Sequence, residues 1–297
     1  MRMTRRDALW ISVAAPLAAQ ADLTAQKRKS PTRKQATAAA PPASASPVTS
    51  PVTWMPHPVF IGAPVLFRSK TLSGPATWLD KTIEFRPEGD GFSALAGVGL
   101  TRAPGRYALV VGTETIQVPV AGHVYPSSTI TVPQKFVQPP KEVAERIAGE
   151  AAVKKQVFLA SPPERLWQGA FTPPANTRYT SSFGVRRIYN GKTRSVHQGL
   201  DYSAAMGTSV HASNAGRIAI ARDMYYEGGF IVIDHGESIF TLYMHLSEFL
   251  VREGAAIAKG EVIAKSGSSG RATGPHLHFG VQWQGIYVEP STLLRLW

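Results

Sequence analysis

The chain has 297 residues, 43% of them hydrophobic and 18% charged, with no cysteine and a formal net charge of +12. That is enough for one large or two ordinary domains with packed cores. The missing cysteines exclude disulfides and thiolate metal sites, so any metal must be held by His, Asp or Glu.

The charge is unevenly placed. Residues 1–34 carry eight Lys or Arg against Asp7 and Asp22, so half of the basic excess lies in this short segment. The rest is spread thinly and no basic motif is interleaved with aromatics. This argues against nucleic-acid reading and fits attraction to an anionic polymer or surface.

Residues 1–21 read as an export signal. A basic start (Arg2, Arg5, Arg6) leads into "ALWISVAAPLAAQA", and Ala19-Gln20-Ala21 offers a small-residue cleavage site. The apolar run is too short to span a bilayer, and no other stretch is longer, so no stable membrane insertion is expected after cleavage. Arg5-Arg6 leaves the general secretory and twin-arginine routes both open. Residues 22–53, rich in Ala, Pro, Ser, Thr, Lys and Arg, cannot bury enough apolar surface to offset their ordering entropy. They are expected to be a disordered basic linker.

Residues 54–125 contain short β-like runs broken by Gly and Pro, such as "PVFIGAPVLFR", "GRYALVVG" and "ETIQVPVAG". Strands at roughly ten-residue spacing predict a small β-sandwich, and "APGRYAL" suggests an immunoglobulin-like one. Residues 126–166 form a connector. Val143, Ala144, Ile147 and Ala151 have helical spacing, which predicts a helix beginning after Pro140. The following stretch, "SPPERLWQGAFTPPAN", is expected to be extended, with Trp167 and Phe171 docking against the last domain. Residues 167–297 are again strand-rich, so the whole chain is expected to be mainly β.

The chemistry gathers in that last domain. Four of the eight histidines fall in three short stretches: "HQGLD" (His197, Asp201), "LYMHLS" (His245) and "PHLHFG" (His276, His278). A strand points alternate residues to one face, so His276 and His278 are presented together while Leu277 turns into the core. Gly199 in the middle of "VHQGLDYS" favours a strand or loop over a helix, and residues i and i+4 of a strand still share a face. A hydrolytic zinc site uses three ligands from His, Asp and Glu with a fourth position open. His197, Asp201 and one histidine of the pair would supply that number. Read alone, the pair is equally compatible with hydrogen-bonded cleft histidines.

The order H-x-x-x-D, Y-x-H-L, H-L-H resembles peptidase family M23, the lysostaphin-like or LytM-type peptidoglycan endopeptidases. "TSSFGVRR" at 180–187, "GTSVHASNAGRI" at 207–218, "IVIDHG" at 231–236 and "SGSSGRATGPHLHFGV" at 266–281 extend the resemblance. It implies a twisted antiparallel sheet with a peptide groove, with His197, Asp201 and His278 as ligands of one Zn2+ per chain. It makes His245 and His276 auxiliary catalytic groups; we assign His276 to take the proton from water and His245 to stabilise the oxyanion, while the sequence leaves open which of the two is the general base. The implied substrate is the stem or cross-bridge peptide of bacterial peptidoglycan, in the periplasm or envelope. The rival reading is a non-enzymatic wall-binding protein that activates another hydrolase; the intact ligand set favours the enzyme. Arg186 is a candidate to hold a substrate carboxylate, with a surface salt bridge as the alternative. His211 is expected at the rim, His235 at a strand end, and His57 and His123 away from any site.

Overall fold

A computed structural model describes residues 50–297. The expected export signal and nearly all of the expected linker lie outside the described residues. The first strand starts at Val52, within the last residues read as linker. The described chain is mainly β.

Eight strands form the N-terminal unit: β1 (Val52–Met55), β2 (Val59–Phe60), β3 (Pro64–Ser69), β4 (Gly74–Trp78), β5 (Lys81–Glu88), β6 (Gly91–Gly97), β7 (Gly105–Val111) and β8 (Glu114–Ala121). Their order is β1-β3-β6-β5-β4-β7-β8-β2. In β8 the pattern is the physical cause of the strand: Ile116, Val118 and Val120 are buried while Gln117 and Pro119 are exposed, the period-two alternation of a half-buried strand. Strand β5 is shared, its first half pairing with β4 and its last residues with β6. The two halves of the sheet thereby share a core in which Phe67 of β3 meets Trp78 of β4 edge-on at 5.2 Å.

A short strand, β9 (Ser127–Ile130), leads to helix α1 (Ala144–Leu159). The helix has no fully buried residue, but Val153, Val157 and Phe158 pack on Ile220, Phe230, Val232, Phe240 and Leu242. Its polar positions add Lys154–Glu227 and Arg146–Asp223 ion pairs to the following domain.

The C-terminal part contains β10 (Tyr179–Ser181), β11 (Arg186–Tyr189), β12 (Thr193–Val196), β13 (Gly199–Tyr202), β14 (Ser209–His211), β15 (Gly216–Met224) and β16 (Gly228–Asp234). These are followed by β17 (Ile239–Phe249), β18 (Ala256–Ile257), β19 (Val262–Ser266), β20 (Leu277–Trp283), β21 (Ile286–Val288) and a short α2 (Pro290–Leu293). Ten of these strands make one antiparallel sheet with the central order β10-β13-β20-β17-β16-β15-β18, while β9 joins the β11–β12 hairpin in a separate three-stranded sheet.

The central strands are buried on both faces, which explains why β16 reads as an unbroken apolar run. Ile231, Ile233, Tyr243, Leu277 and Phe279 face a core completed by Trp167, Phe171, Leu293 and Leu296. Phe230, Val232, Phe240 and Leu242 face α1. Met244 lies on the α1 face and is paired with His278. The helix therefore covers part of this second face, and His278 projects from the part it leaves open. Among the described residues no helix is long and apolar enough to cross a membrane.

Candidate metal centre

Strands β13 and β20 run antiparallel with Asp201 directly opposite His278. Directly opposed residues put their side chains on one face about 5 Å apart. His197 precedes β13 and is buried with them. The result is a tight triangle. His197 Nε2 is 2.9 Å from Asp201 Oδ1 and 3.0 Å from His278 Nδ1, and His278 Nδ1 is 2.9 Å from Asp201 Oδ1.

The close approach depends on Gly199. A Cβ there would lie 2.4 Å from the Phe279 carbonyl oxygen and 2.6 Å from His278 Nε2. No side chain fits between these strands without moving the imidazole.

The donor set suits a cation. His197 Nδ1 is 2.7 Å from the Ser182 carbonyl, an acceptor only, so Nδ1 carries the proton and Nε2 presents its lone pair. Burial lowers the His197 pKa to about 4, outweighing its contact with Asp201, so the imidazole is neutral near pH 7. For Asp201, burial works toward the neutral acid, but contacts with His197 and His278 outweigh it and hold the carboxyl well below the usual carboxylate range. Three buried atoms with at most one proton among them would repel at about 3 Å, and a metal ion resolves that repulsion. His197, Asp201 and His278 are the one such cluster found among the described residues, with ligand atoms all within 4.8 Å.

Arg187 completes the support. Its Nη2 donates to Asp201 Oδ2 and, at 2.9 Å, to Ser181 Oγ. Arg186, the candidate named from the sequence, is exposed; the inward-facing arginine is its neighbour. Two adjacent arginines on a short strand carry no signal of which one turns inward until the hairpin docks. Arg187→Leu should weaken metal binding about 10- to 100-fold, as loss of an outer partner of a ligand does. Chelator competition would measure it, and unchanged affinity would remove Arg187 from the site.

His245 and His276 stand beside the triangle. His245 is 4.6 Å from the His276 ring and 6.2 Å from the His278 ring, centroid to centroid. Pairing between β16 and β17 shifts register between Gly229 and Ile231, opposite His245, which takes φ +66°. Such a bulge re-aims a side chain, and left-handed backbone on a non-glycine residue marks a position held by its surroundings. His245 Nδ1 donates to the Ser269 carbonyl at 2.8 Å and its backbone N–H to the Glu227 carbonyl at 2.8 Å. Nε2 is left as a lone pair. Burial first, then His276 and His278, push the His245 pKa down to about 3. His276 Nδ1 is fixed by the Gly274 carbonyl at 2.8 Å, and its Nε2 lies 3.9 Å from Asp201 Oδ1.

The other histidines stay apart. His211 Nδ1 donates to the Gly260 carbonyl at 3.0 Å on a partly exposed strand, between buried Val210 and Ala212. His235 follows β16 directly but is fully buried, bonded to the Ala215 carbonyl and Thr241 Oγ1. Burial lowers its pKa to about 4, making it a neutral core group. His57 packs on Trp54, and His123 on Phe60 and Tyr125.

Residues 195–290 match the family described as peptidase family M23. The peptidoglycan DD-endopeptidase ShyA of Vibrio cholerae serotype O1 is 40% identical over 113 residues, 38% of this chain and 26% of that protein. The DD-carboxypeptidase/endopeptidase Mpg of Neisseria meningitidis serogroup B is 42% identical over 121 residues, 41% of this chain and 28% of that protein. The chain thus spans about a quarter of the length of these curated relatives. A crystal structure of a candidate peptidase M23 from Pseudomonas aeruginosa aligns with a TM-score of 0.62 over 81% of this chain and 96% of that one. Its identity is 23%, which makes the likeness one of fold.

Proposed function

From the peptidase M23 domain carried by residues 195–290, we propose that this chain is a zinc-dependent endopeptidase that hydrolyses peptides of bacterial peptidoglycan. The observation that carries the reading is the convergence of His197, Asp201 and His278 within 4.8 Å, with two further imidazoles beside them. His197, Asp201 and His278 are the proposed ligands and His245 and His276 the proposed auxiliary groups. Zinc bound there supplies a Lewis acid and brings the pKa of a water toward neutrality.

The rest of the chemistry falls to the side chains. A substrate peptide in the cleft presents its carbonyl to the water. His245 is neutral and its Nε2 lone pair is free, because Nδ1–H is committed to Ser269. It can accept the water's proton but cannot donate from that nitrogen until it has done so. His276 Nδ1 is likewise held by the Gly274 carbonyl, so its Nε2 also faces the site as a lone pair. Either imidazole can take the water's proton, and the one that holds it can then donate to the oxyanion or the leaving amine. In both imidazoles the tautomer is fixed by the carbonyl partner of Nδ1. Export, expected from residues 1–21, would deliver the domain to the envelope.

Digestion of purified peptidoglycan followed by mass spectrometry of the products tests the reading. The wild type should release fragments cut at a peptide bond. His245→Ala should keep its zinc and lose about 10²- to 10⁴-fold in rate, the usual worth of a positioned proton acceptor. A wild-type protein that binds zinc, cuts nothing and stimulates a second hydrolase would establish the non-enzymatic alternative instead.

A further inference from the structure

The loop between β19 and β20 carries more than His276. It is pinned at its ends by His276 N–H to the Gly267 carbonyl at 3.1 Å. Inside the loop, Ser269 Oγ accepts from the Gly229 N–H at 2.9 Å and donates to the Leu246 carbonyl at 2.8 Å. Gly270, at φ +67°, passes so close to the β15–β16 turn that a Cβ would sit 2.3 Å from the Gly228 nitrogen. The next residue, Arg271, is therefore held in fixed relation to both auxiliary histidines. Its own N–H donates to the Tyr226 carbonyl at 2.8 Å.

The Arg271 guanidinium lies between two aromatic rings, 4.8 Å from the centroid of Tyr189 and 5.0 Å from that of Tyr226. Those rings are themselves braced by the connector: Val132 and Phe136 pack with Tyr189, Tyr225 and Tyr226. Asn190 exchanges two hydrogen bonds with the Val132 backbone at 2.9 Å. Arg86, Arg146, Arg165, Arg187 and Arg222 are all paired with carboxylates, whereas among the described residues no carboxylate pairs with Arg271. Stacking occupies the faces of a guanidinium and leaves its N–H edges to match a carboxylate in bidentate fashion.

Position supplies the second half of the argument. Tyr189 is two residues beyond Arg187 on β11, so both side chains project from one face. Arg187 touches Asp201, and Arg271 touches Tyr189. Two residues of strand advance about 7 Å, and an extended substrate peptide advances at the same pitch.

We propose that Arg271 is a specificity-determining residue that binds a free carboxylate of the substrate peptide, one or two residues from the scissile bond. This rests on the endopeptidase reading. The ligand class is an anionic peptide, and Tyr189 and Tyr226 are positioning residues that stiffen the cation.

The test uses the full chain and two probes: a cross-linked stem-peptide dimer with its carboxylates free, and the same dimer with them amidated. Equilibrium binding and cleavage are measured for wild type, Arg271→Gln and Arg271→Lys, with melting temperature as a fold control. Wild type should bind the free-carboxylate dimer about 10- to 100-fold more tightly, the worth of a charge-assisted bond. Arg271→Gln should abolish that preference by raising KM with little change in kcat. Arg271→Lys should retain only part of it. Equal binding of both probes by wild type, or an undiminished preference in Arg271→Gln, overturns the proposal. Discriminating binding without cleavage would leave the carboxylate site standing and sink the hydrolase reading.

Discussion

Replacing His278 by alanine is expected to strip the protein of its metal and reduce peptidoglycan cleavage by at least about a thousandfold. The size follows from the several kcal/mol of charge stabilisation a metal supplies, at about 1.4 kcal/mol per tenfold in rate. Elemental analysis should find one zinc per wild-type chain and little in the variant. The loss is not shared with neighbouring sites, because among the described residues His278 is one of three donors meeting within 4.8 Å. His276, two residues earlier on the same face, cannot take its place: its Nδ1 is committed to Gly274 and its Nε2 sits 3.9 Å from Asp201 Oδ1. A variant with wild-type zinc content would remove His278 from the ligand set.

Glu237→Ala should be among the most destabilising substitutions in the chain, by about 3–5 kcal/mol. Glu237 sits in the turn between β16 and β17 and accepts from Arg86 Nε at 2.9 Å, Arg165 Nε at 3.0 Å and Trp167 Nε1 at 3.2 Å. Arg86 belongs to the N-terminal unit, Arg165 to the connector and Trp167 to the start of the last domain. Arg165 also donates to Ser93 Oγ and the Ser93 carbonyl, and stacks on Trp167 at 4.2 Å. Both Glu237 and Arg165 are nearly buried, their side chains 12% and 11% exposed. Removing the carboxylate therefore leaves a desolvated guanidinium without its counter-charge. Urea unfolding would measure the loss; a change below about 1 kcal/mol, the level of a surface ion pair, would mean that water replaces the carboxylate. Zinc content of the folded fraction should stay at the wild-type level, since the junction is separate from the ligand triangle.

The same junction bears on how the N-terminal unit can be studied. A Cβ on Gly97 would lie 2.6 Å from Val288 and 3.1 Å from Trp283, and Trp297 Nε1 donates to Glu88 Oε1 at 3.0 Å. Deleting residues 54–125 would uncover this apolar surface. A point change at Glu237 tests the coupling of the two parts without exposing it.

Much of the candidate site was legible because its chemistry is carried by residue type and local period. His197 and Asp201 sit four apart and His276 and His278 two apart, the second of each pair on a strand and the first just before it, and strand alternation sends Leu277 into the core. That is enough to assemble one face of a site. The position of Gly199 was legible as a break from helix, but not its reason, which is the approach of the Phe279 carbonyl and His278 imidazole. Arg187, Ser182 and Ser269 were not singled out, since each acts on a histidine or carboxylate distant in sequence or through a backbone carbonyl. The tautomers of His245 and His276 were hidden for the same reason: each is set by the carbonyl partner of Nδ1, and no spacing rule names that partner.

The sequence by itself determined which groups can bind and react: a cysteine-free set of imidazoles and one carboxylate, of which Asp201 and His278 lie on strands whose period fixes the face they take. Tertiary structure alone decided where those faces meet. The opposition of Asp201 to His278, the bulge that turns His245 and the aromatic clamp on Arg271 all depend on contacts between residues tens of positions apart. Strand propensity and period act over a few neighbours, whereas register, tautomer and charge pairing are fixed only when distant strands pack and exclude water.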